Sequence, residues 1–431
     1  MQAKYKKLSN YELVGKLIEE PKLKIFISDW SYLLKKYKNK KTKHNRIMRI
    51  KERLDLGRFA TFIPNKKEPV YNWFYYKEGF SRHLALLLID EFALEKNNIL
   101  LDPFCGVGTT LLACKERGIN SIGFDVHPVA VFVSLVKIRD YDIEKLKAQA
   151  KALLKTKFYR QDVPKDHILR RAFKRETLED VILFRNRIME IEDTVIRDFF
   201  LLALMNVSIK CSYIYKDGAV LKFIKNKHIP PLRDMLRRQI YRMIRDIQNF
   251  PFQPCSTHVD FGDARKLKLE NECVDGVITS PPYLNKIEYT KIYEIEQRLF
   301  LDFLESRPGI RSYIGLDIER VRSDFSPVCK ILEDENFSGL PEEAKPYFLD
   351  MYYAISEMYR VCRSGAKLGI VVGNGCFPSG VVESDIFLSK IAEHIGFEVK
   401  EIVVLNKRWC TRDRTKKIGI TRESLLLWEK P

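Results

Sequence analysis

The chain has 431 residues, 45% of them hydrophobic, and a formal net charge of +18 at pH 7. This composition excludes a mostly disordered protein, and no apolar stretch approaches the ~18 residues of a membrane span. The start of the chain lacks the apolar core of a signal peptide, and the nine cysteines include no Cys-x-x-Cys pair. We therefore expect a cytoplasmic protein with no membrane contact, no disulfide framework and no metal site.

The basic charge is concentrated in two segments. Residues 1–70 carry roughly 19 Lys and Arg against roughly 7 Asp and Glu, and residues 150–250 roughly 22 against roughly 12. This distribution is typical of a protein whose appendages contact a polyanion while a near-neutral core performs the chemistry. A Lys-rich surface adapted to heat is the alternative. We predict a basic, partly helical N-terminal arm over residues 1–70.

The first motif in chain order is a glycine-bearing turn after the apolar run Ile99-Leu100-Leu101. Glycine is needed where backbone approaches a ligand closely, so the turn predicts a binding loop before a helix over 110–117. Position 111 is Leu, and the third glycine of a dinucleotide-binding loop is therefore absent. The residues of the turn are Asp102, Pro103, Phe104, Cys105, Gly106, Gly108 and Thr109.

A second predicted strand, over residues 121–124, ends in Asp125. This acid follows the glycines by about 20 residues, the spacing at which an acidic side chain accepts hydrogen bonds from ribose hydroxyls. The glycine turn and Asp125 together predict the two halves of a site for an adenosine-type cofactor.

Residues 142–255 are predicted to form a helical insertion and candidate DNA-binding region within one domain. An apolar stripe at helical spacing runs from Leu232 to Ile247, with arginines largely off it. Residues 213–223 interleave basic and aromatic side chains around Asp-Gly and predict a hairpin or loop. Arg238 and Arg242, beside the stripe, are candidates for phosphate contacts.

The stretch that decides the chemistry is Ser280-Pro281-Pro282-Tyr283, which follows a buried strand pattern over 274–278. Ligands of open α/β sheets bind at the carboxyl ends of strands. The prolines stiffen the turn and lack N–H groups, so its carbonyls are available as acceptors. Ser280 and the Pro281 carbonyl can then accept from an amino group, while a base stacks on Tyr283. This predicts a site for an exocyclic amine on a planar ring.

Alternating helix and strand patterns follow towards the C-terminus, with strands predicted over 367–372, 398–405 and 423–428. The basic segment 407–417, between the last two strands, contains a tryptophan and predicts a nucleic-acid contact loop, with a solvated hairpin tip as the alternative. Its candidate contact residues are Arg408, Arg412 and Arg414.

On these motifs the chain resembles the S-adenosylmethionine-dependent amino methyltransferases of DNA. Their signature is a polar residue, two prolines and an aromatic residue, and the Ser-Pro-Pro-Tyr form is commonest among enzymes that methylate cytosine N4. The glycine turn is similar to their loop for the amino acid end of the cofactor. The resemblance covers about 71–140 and 256–431, and we do not extend it to residues 1–70 or most of the insertion.

The resemblance also implies three further cofactor contacts. In this family a short block before the glycine turn covers the methionine end of the cofactor, which places Phe80 and Ser81 against it. An Asp at a strand end shortly before the diproline bend accepts from the adenine amino group, and Asp263 occupies that position here.

The fold implied is α/β, a Rossmann-like class I methyltransferase sheet whose final strand inserts antiparallel. Residues 71–141 form its cofactor-binding half and residues 256–431 its catalytic half.

The activity implied is site-specific methylation of cytosine N4 in duplex DNA, with the base flipped out, by a modification methylase that has a cognate restriction endonuclease. The cofactor motifs precede the Ser-Pro-Pro-Tyr motif, which is not the order of many cytosine-N4 enzymes. Adenine-N6 methylation, tRNA guanine-N2 methylation and DNA binding without catalysis stay open.

Overall fold

A large sheet flanked by helices organises the chain. The computed structural model describes residues 48–217, 220–284, 292–301, 313–315, 325–334, 340–412 and 415–431. The strands in those ranges are β1 (Ile50–Glu52), β2 (Ile99–Asp102), β3 (Asn120–Asp125), β4 (Ile214–Asp217), β5 (Val220–Phe223), β6 (Thr257–Phe261), β7 (Val274–Thr279), β8 (Cys362–Gly373), β9 (Gly375–Phe377), β10 (Gly380–Val382), β11 (Glu398–Arg412) and β12 (Lys416–Glu429). The α-helices are α1 (Arg82–Phe92), α2 (Thr109–Arg117), α3 (Pro128–Ile138), α4 (Ile143–Leu153), α5 (His167–Ala172), α6 (Arg175–Met189), α7 (Thr194–Lys210), α8 (Leu232–Asn249), α9 (Glu294–Phe300), α10 (Ser326–Asp334), α11 (Lys345–Val361) and α12 (Ser384–Ile395).

The topology of the main sheet is that of a doubly wound α/β fold. Its eight strands lie in the order β1-β11-β12-β8-β7-β2-β3-β6. Neighbours run parallel except at β12, which is antiparallel to both β11 and β8. Strands β6, β3, β2, β7 and β8 thus follow the 3-2-1-4-5 order of dinucleotide-binding sheets. The predicted Rossmann-like fold is confirmed, including the antiparallel insertion of the last strand.

Apolar runs explain why the central elements form where they do. β7 is buried at five of its six positions, as expected of a parallel strand covered on both faces. The helix α3 begins with a proline at its first turn, where no N–H is needed. It is buried on almost every side because it packs against β6 and against α7 of the insertion.

The helical insertion shares a core with the aromatic block that precedes α1. Three of its helices, α4, α5 and α7, begin at aspartates whose side chains accept from first-turn N–H groups. The ring of Trp73 packs edge-on against Phe199 of α7, and its indole N–H donates to Asp246 of α8 at 2.9 Å. The predicted hairpin is present as β4 and β5. The buried stripe of α8 consists of Leu232, Leu236, Ile240, Met243, Ile244 and Ile247.

The predicted arm through residue 70 is wrong for residues 50–70. β1 pairs in parallel with β11 at the edge of the main sheet, and residues from Ile50 onward belong to the compact unit Ile50–Pro431. The physical reason is burial, since Leu56, Phe62 and Val70 all lie in the core of the sheet domain. Residues 1–47, with the Lys-rich run and the predicted helix, lie outside the described residues.

The cysteines need one correction. Cys376 of β9 and Cys410 of β11 form a disulfide, with Cα atoms 5.7 Å apart. This single bridge was not predicted, because the fold brings together residues whose spacing in the sequence gives no signal. Within the described ranges, no group of three or more His, Cys, Asp or Glu could hold a metal ion. No helix in those ranges is long and apolar enough to cross a membrane.

Candidate active site

A cavity of about 540 Å³ lies at the carboxyl ends of β2 and β7. In an open α/β sheet this is the switch point of the strand order, where ligands bind. Two of the predicted cofactor-binding residues, Ser81 and Gly108, do not line it. The predicted residues that do are Phe80, Asp102, Pro103, Phe104, Cys105, Gly106, Thr109, Asp125, Asp263, Ser280, Pro281, Pro282 and Tyr283.

Asp102 and Thr279 join the two central strands at the site. The Thr279 hydroxyl donates to Oδ1 of Asp102 at 2.6 Å, and the backbone N–H of Phe104 donates to the same oxygen at 3.2 Å. Burial raises the pKa of Asp102 to about 6, and these hydrogen bonds oppose that rise. The contact fixes the start of the diproline bend relative to the glycine turn.

The glycine turn adopts a backbone that side chains disfavour. Gly106 and Gly108 have φ of 51° and 77°, in the left-handed region that glycine enters without steric cost. A Cβ on Gly108 would lie 2.3 Å from the Ser134 hydroxyl of α3. Lys137, also of α3, donates to the Val107 carbonyl at 3.2 Å, and burial lowers its pKa to about 7. Gly108 therefore acts by allowing α3 to approach the turn.

Asp125 is oriented by two backbone N–H groups. Gly106 donates to its Oδ2 at 2.9 Å and His127 to its Oδ1 at 2.8 Å. Desolvation nevertheless raises the pKa of this carboxyl to about 6. Each oxygen keeps a lone pair, so the ionised group can accept hydrogen bonds from the two hydroxyls of a ribose.

Asp263 lies in the cavity wall and pairs with a neighbouring arginine. Arg265 donates to its two oxygens, from Nε at 2.9 Å and from Nη2 at 2.7 Å. The other edge of that guanidinium donates to Asp350 at 2.8 Å. The pairing holds the Asp263 carboxylate in place, and its remaining lone pairs are available to an adenine amino group. That role stays a prediction.

The aromatic block before α1 contributes Phe80 to the cavity but not Ser81. Phe80 is 4% exposed and lines the cavity. Ser81 is the N-cap of α1, where its hydroxyl accepts from the Leu84 N–H at 3.4 Å. The ring of Tyr76 covers Gly106 and stacks on Tyr293 with centroids 5.2 Å apart. The block thus closes the glycine turn from one side.

The diproline bend presents its acceptors at the same cavity. The Ser280 hydroxyl donates to the Val371 carbonyl at 3.0 Å, which leaves the lone pairs of its oxygen to accept. In the described part of the chain, no donor bonds the Pro281 carbonyl. The Tyr283 ring packs on Gly373, where a Cβ would lie 2.5 Å from its Cδ2. The bend is therefore rigid, and neither predicted acceptor is consumed by the fold.

The predicted basic contact residues are dispersed. Arg408 lines the cavity and its side chain is 66% exposed. Arg238 is exposed on α8, whereas Arg242 is half-buried and donates to a glutamine on the same helix. Arg412 donates to a backbone carbonyl beyond β9. Arg414 lies outside the described residues.

Glu423 and His127 line the cavity but were not predicted to be site residues. Glu423 of β12 is 7% exposed and accepts from the Tyr283 hydroxyl at 2.9 Å. In the sequence, only its position marks it: Glu423 is a charged residue at the start of the apolar run of the last strand. His127 is 3% exposed, and burial lowers its pKa to about 3, so it is neutral. Its position two residues after Asp125 could have indicated that it lies at the same edge of the sheet.

The residues of the cavity fit S-adenosylmethionine. Gly106 brings the backbone of the turn to the cavity wall, Asp125 and Asp263 offer acceptors, and Phe80, Phe104 and Tyr283 offer apolar surface. Carboxylates are also compatible with the positive charge of a sulfonium. Sheet topology and site together define an S-adenosylmethionine-dependent methyltransferase of the Rossmann-like class.

Comparison with known proteins indicates which kind of methyltransferase this chain resembles. Residues 2–134 match the family described as "DNA methylase", of the N6/N4 type, so the family resemblance begins earlier than the expected residue 71. The chain is 26% identical to the Type II methyltransferase M.BsoBI of Geobacillus stearothermophilus over 453 residues, covering 87% of this chain and 88% of that protein. It is 28% identical to the Type II methyltransferase M.AvaI of Nostoc sp. over 448 residues, covering 89% and 91%.

A shorter match, 35% identical over 60 residues, is to a "Probable tRNA (guanine(10)-N2)-dimethyltransferase" of Methanothermococcus thermolithotrophicus, covering 14% of this chain and 37% of that protein. The long matches have the greater weight because they span both the glycine turn and the diproline bend. The matched family model and the two long relatives support an amino methyltransferase of DNA of the N4/N6 type.

Proposed function

We propose that this protein methylates the N4 amine of cytosine in duplex DNA, as the modification enzyme beside a restriction endonuclease of the same specificity. The main support for the proposal is that the glycine turn and the Ser280-Pro281-Pro282-Tyr283 bend line the same cavity. The Ser-Pro-Pro-Tyr form supports cytosine, and the names of the two long relatives support DNA and a Type II system.

The proposed mechanism needs no covalent enzyme intermediate. The cofactor, when bound, supplies a methyl group activated by the adjacent sulfonium. The target base leaves the stack at a cost of a few kcal/mol, which stacking on Tyr283 offsets. Ser280 Oγ and the Pro281 carbonyl accept the two amine hydrogens and so turn the nitrogen lone pair towards the methyl group. Preorganised acceptors and positioning favour the transfer, and the nitrogen loses its proton only after it is methylated, so no strong base is required.

Exposed basic and aromatic side chains supply the proposed DNA contacts. Arg408 lies at the cavity, and Trp409 beside it is 53% exposed, with the Lys417 ammonium 4.4 Å from its ring centroid. On the insertion hairpin, Tyr215 is 53% exposed. Arg238 is exposed on α8. Such residues contact phosphates and unstacked bases without fixing a sequence.

Adenine N6 is the second candidate target, because the matched family includes both kinds of amino methyltransferase. Cytosine and adenine present the same arrangement of an amine beside a ring nitrogen acceptor. The tRNA guanine-N2 enzymes typically carry Asp or Asn before the prolines and Gly after the aromatic residue. This chain has Ser280 and Leu284 at those positions, which favours a DNA base.

The bend is tested by separating cofactor binding from methyl transfer. Ser280→Ala and Tyr283→Ala should leave the affinity for S-adenosylmethionine unchanged and lower the rate of transfer to DNA by about 10²–10³, the effect of removing a preorganised hydrogen-bonding group. Titration calorimetry measures the first quantity and incorporation of radiolabelled methyl the second. Loss of cofactor binding in both variants would place the bend in the cofactor site and contradict the proposal.

A further inference from the structure

Glu423 lies beside the tyrosine of the diproline bend because of strand register. β12 pairs with β8 so that Glu423 stands opposite Gly373, the residue on which the Tyr283 ring packs. Oε1 of Glu423 accepts from the Tyr283 hydroxyl at 2.9 Å. The carboxylate is 7% exposed and lines the cavity. It therefore sits at the phenol end of the surface on which the base would stack.

The second oxygen of this carboxylate has no hydrogen bond. In the part of the chain that the structure describes, Oε2 of Glu423 is buried and has no hydrogen-bond partner. It forms a long ion pair with Nη2 of Arg408, 3.8 Å away, which is beyond hydrogen-bond length. A buried carboxylate oxygen without a donor is costly, and native proteins rarely retain one without a functional reason.

The chemistry of the cavity identifies the missing donor. Oε2 is a hydrogen-bond acceptor, so its complement is an N–H group and not a phosphate or carbonyl oxygen. The acceptors of the bend, Ser280 Oγ and the Pro281 carbonyl, line the same cavity. We propose that Oε2 of Glu423 accepts a hydrogen bond from the amino group of the extruded base, sharing one of the two amine hydrogens with an acceptor of the bend in a three-centre hydrogen bond, and that it selects an amino base over the oxo base of the same shape. This inference depends on the proposed function.

The test compares two duplex oligonucleotides that differ only at the mapped target base. One carries cytosine and the other uracil, or adenine and hypoxanthine if adenine is the mapped target. Affinities are measured with S-adenosylhomocysteine present, so that no transfer occurs. Wild-type protein should bind the amino duplex about 10–100-fold more tightly, the size expected for one hydrogen bond to a charged group. Glu423→Gln should lose most of this preference, because its amide can donate to the oxo base.

A matched variant identifies the cause. Glu429→Gln makes the same change on the same strand at a residue that pairs with Lys400, and it should behave as wild type. Thermal unfolding of each variant confirms that it is folded. The inference is overturned if Glu423→Gln keeps the wild-type preference, or if Glu429→Gln loses as much of it.

The experiments distinguish a wrong role for Glu423 from a wrong proposed function. If wild-type protein methylates no base amine in DNA, the proposed function has failed. If it does methylate one and Glu423→Gln still prefers the amino duplex to the wild-type extent, only the role of Glu423 is wrong.

Discussion

Asp125 is the residue that should make cofactor binding depend on pH. Desolvation raises its pKa from 3.8 to about 6, and only the ionised carboxylate offers acceptors to both ribose hydroxyls. The affinity for S-adenosylmethionine should therefore fall as the pH drops through about 6, by up to about tenfold per pH unit. Titration calorimetry between pH 5 and 8 measures the dependence.

The control for this prediction is Asp125→Asn, which should bind more weakly and show a shallower dependence on pH. Two other groups at the glycine turn also titrate in this range: Asp102, whose pKa burial raises to about 6, and Lys137, whose pKa burial lowers to about 7. Folding stability of the unliganded protein runs in the opposite sense, because a carboxyl with a raised pKa contributes stability that is lost as the pH rises to its folded-state value. A cofactor affinity that is flat from pH 5 to 8 would show that Asp125 does not hold the ribose.

At the scale of elements, the glycine turn between β2 and α2 depends on the close approach of α3. Gly108→Ala adds both a strained backbone, at φ 77°, and a contact of 2.3 Å with the Ser134 hydroxyl. Gly365→Ala adds a strained backbone only, since φ is 81° there and nothing lies within 4 Å of its Cβ. We expect Gly365→Ala to cost about 1–2 kcal/mol of stability. Gly108→Ala should cost more and weaken cofactor binding.

Denaturant unfolding and cofactor titration measure these two effects. Addition of Ser134→Ala to Gly108→Ala should restore part of the lost stability, because it removes the atom in conflict. Equal losses in the two single variants would mean that the helix α3 does not constrain the turn.

Local sequence was sufficient to predict the motifs that follow strands. The glycine turn, Asp125 and the diproline bend each follow an apolar strand pattern, and the topology of a doubly wound sheet brings such positions to one edge. Glu423 could not be predicted this way, because its partner Tyr283 is 140 residues away and meets it only through the β8–β12 register. The Cys376–Cys410 disulfide and the pairing of β1 with β11 depend on long-range contacts in the same way.

For the whole molecule, the distribution of charge and the position of the site both fit the proposed substrate. The cavity is lined by carboxylates and aromatic rings, whereas the insertion carries a strong excess of Lys and Arg. A polyanion bound by basic residues, with one base placed in an acidic cavity, reconciles these two features.

The decisive measurement identifies the methylated nucleoside. Duplex DNA is incubated with the protein and labelled S-adenosylmethionine, digested to nucleosides and analysed by mass spectrometry, with tRNA as a competing substrate. We expect label in N4-methylcytosine and none in tRNA. N6-methyladenine would contradict the choice of base, and label in N2-methylguanine of tRNA, or no label in DNA, would contradict the assignment of the diproline cavity to a DNA amine.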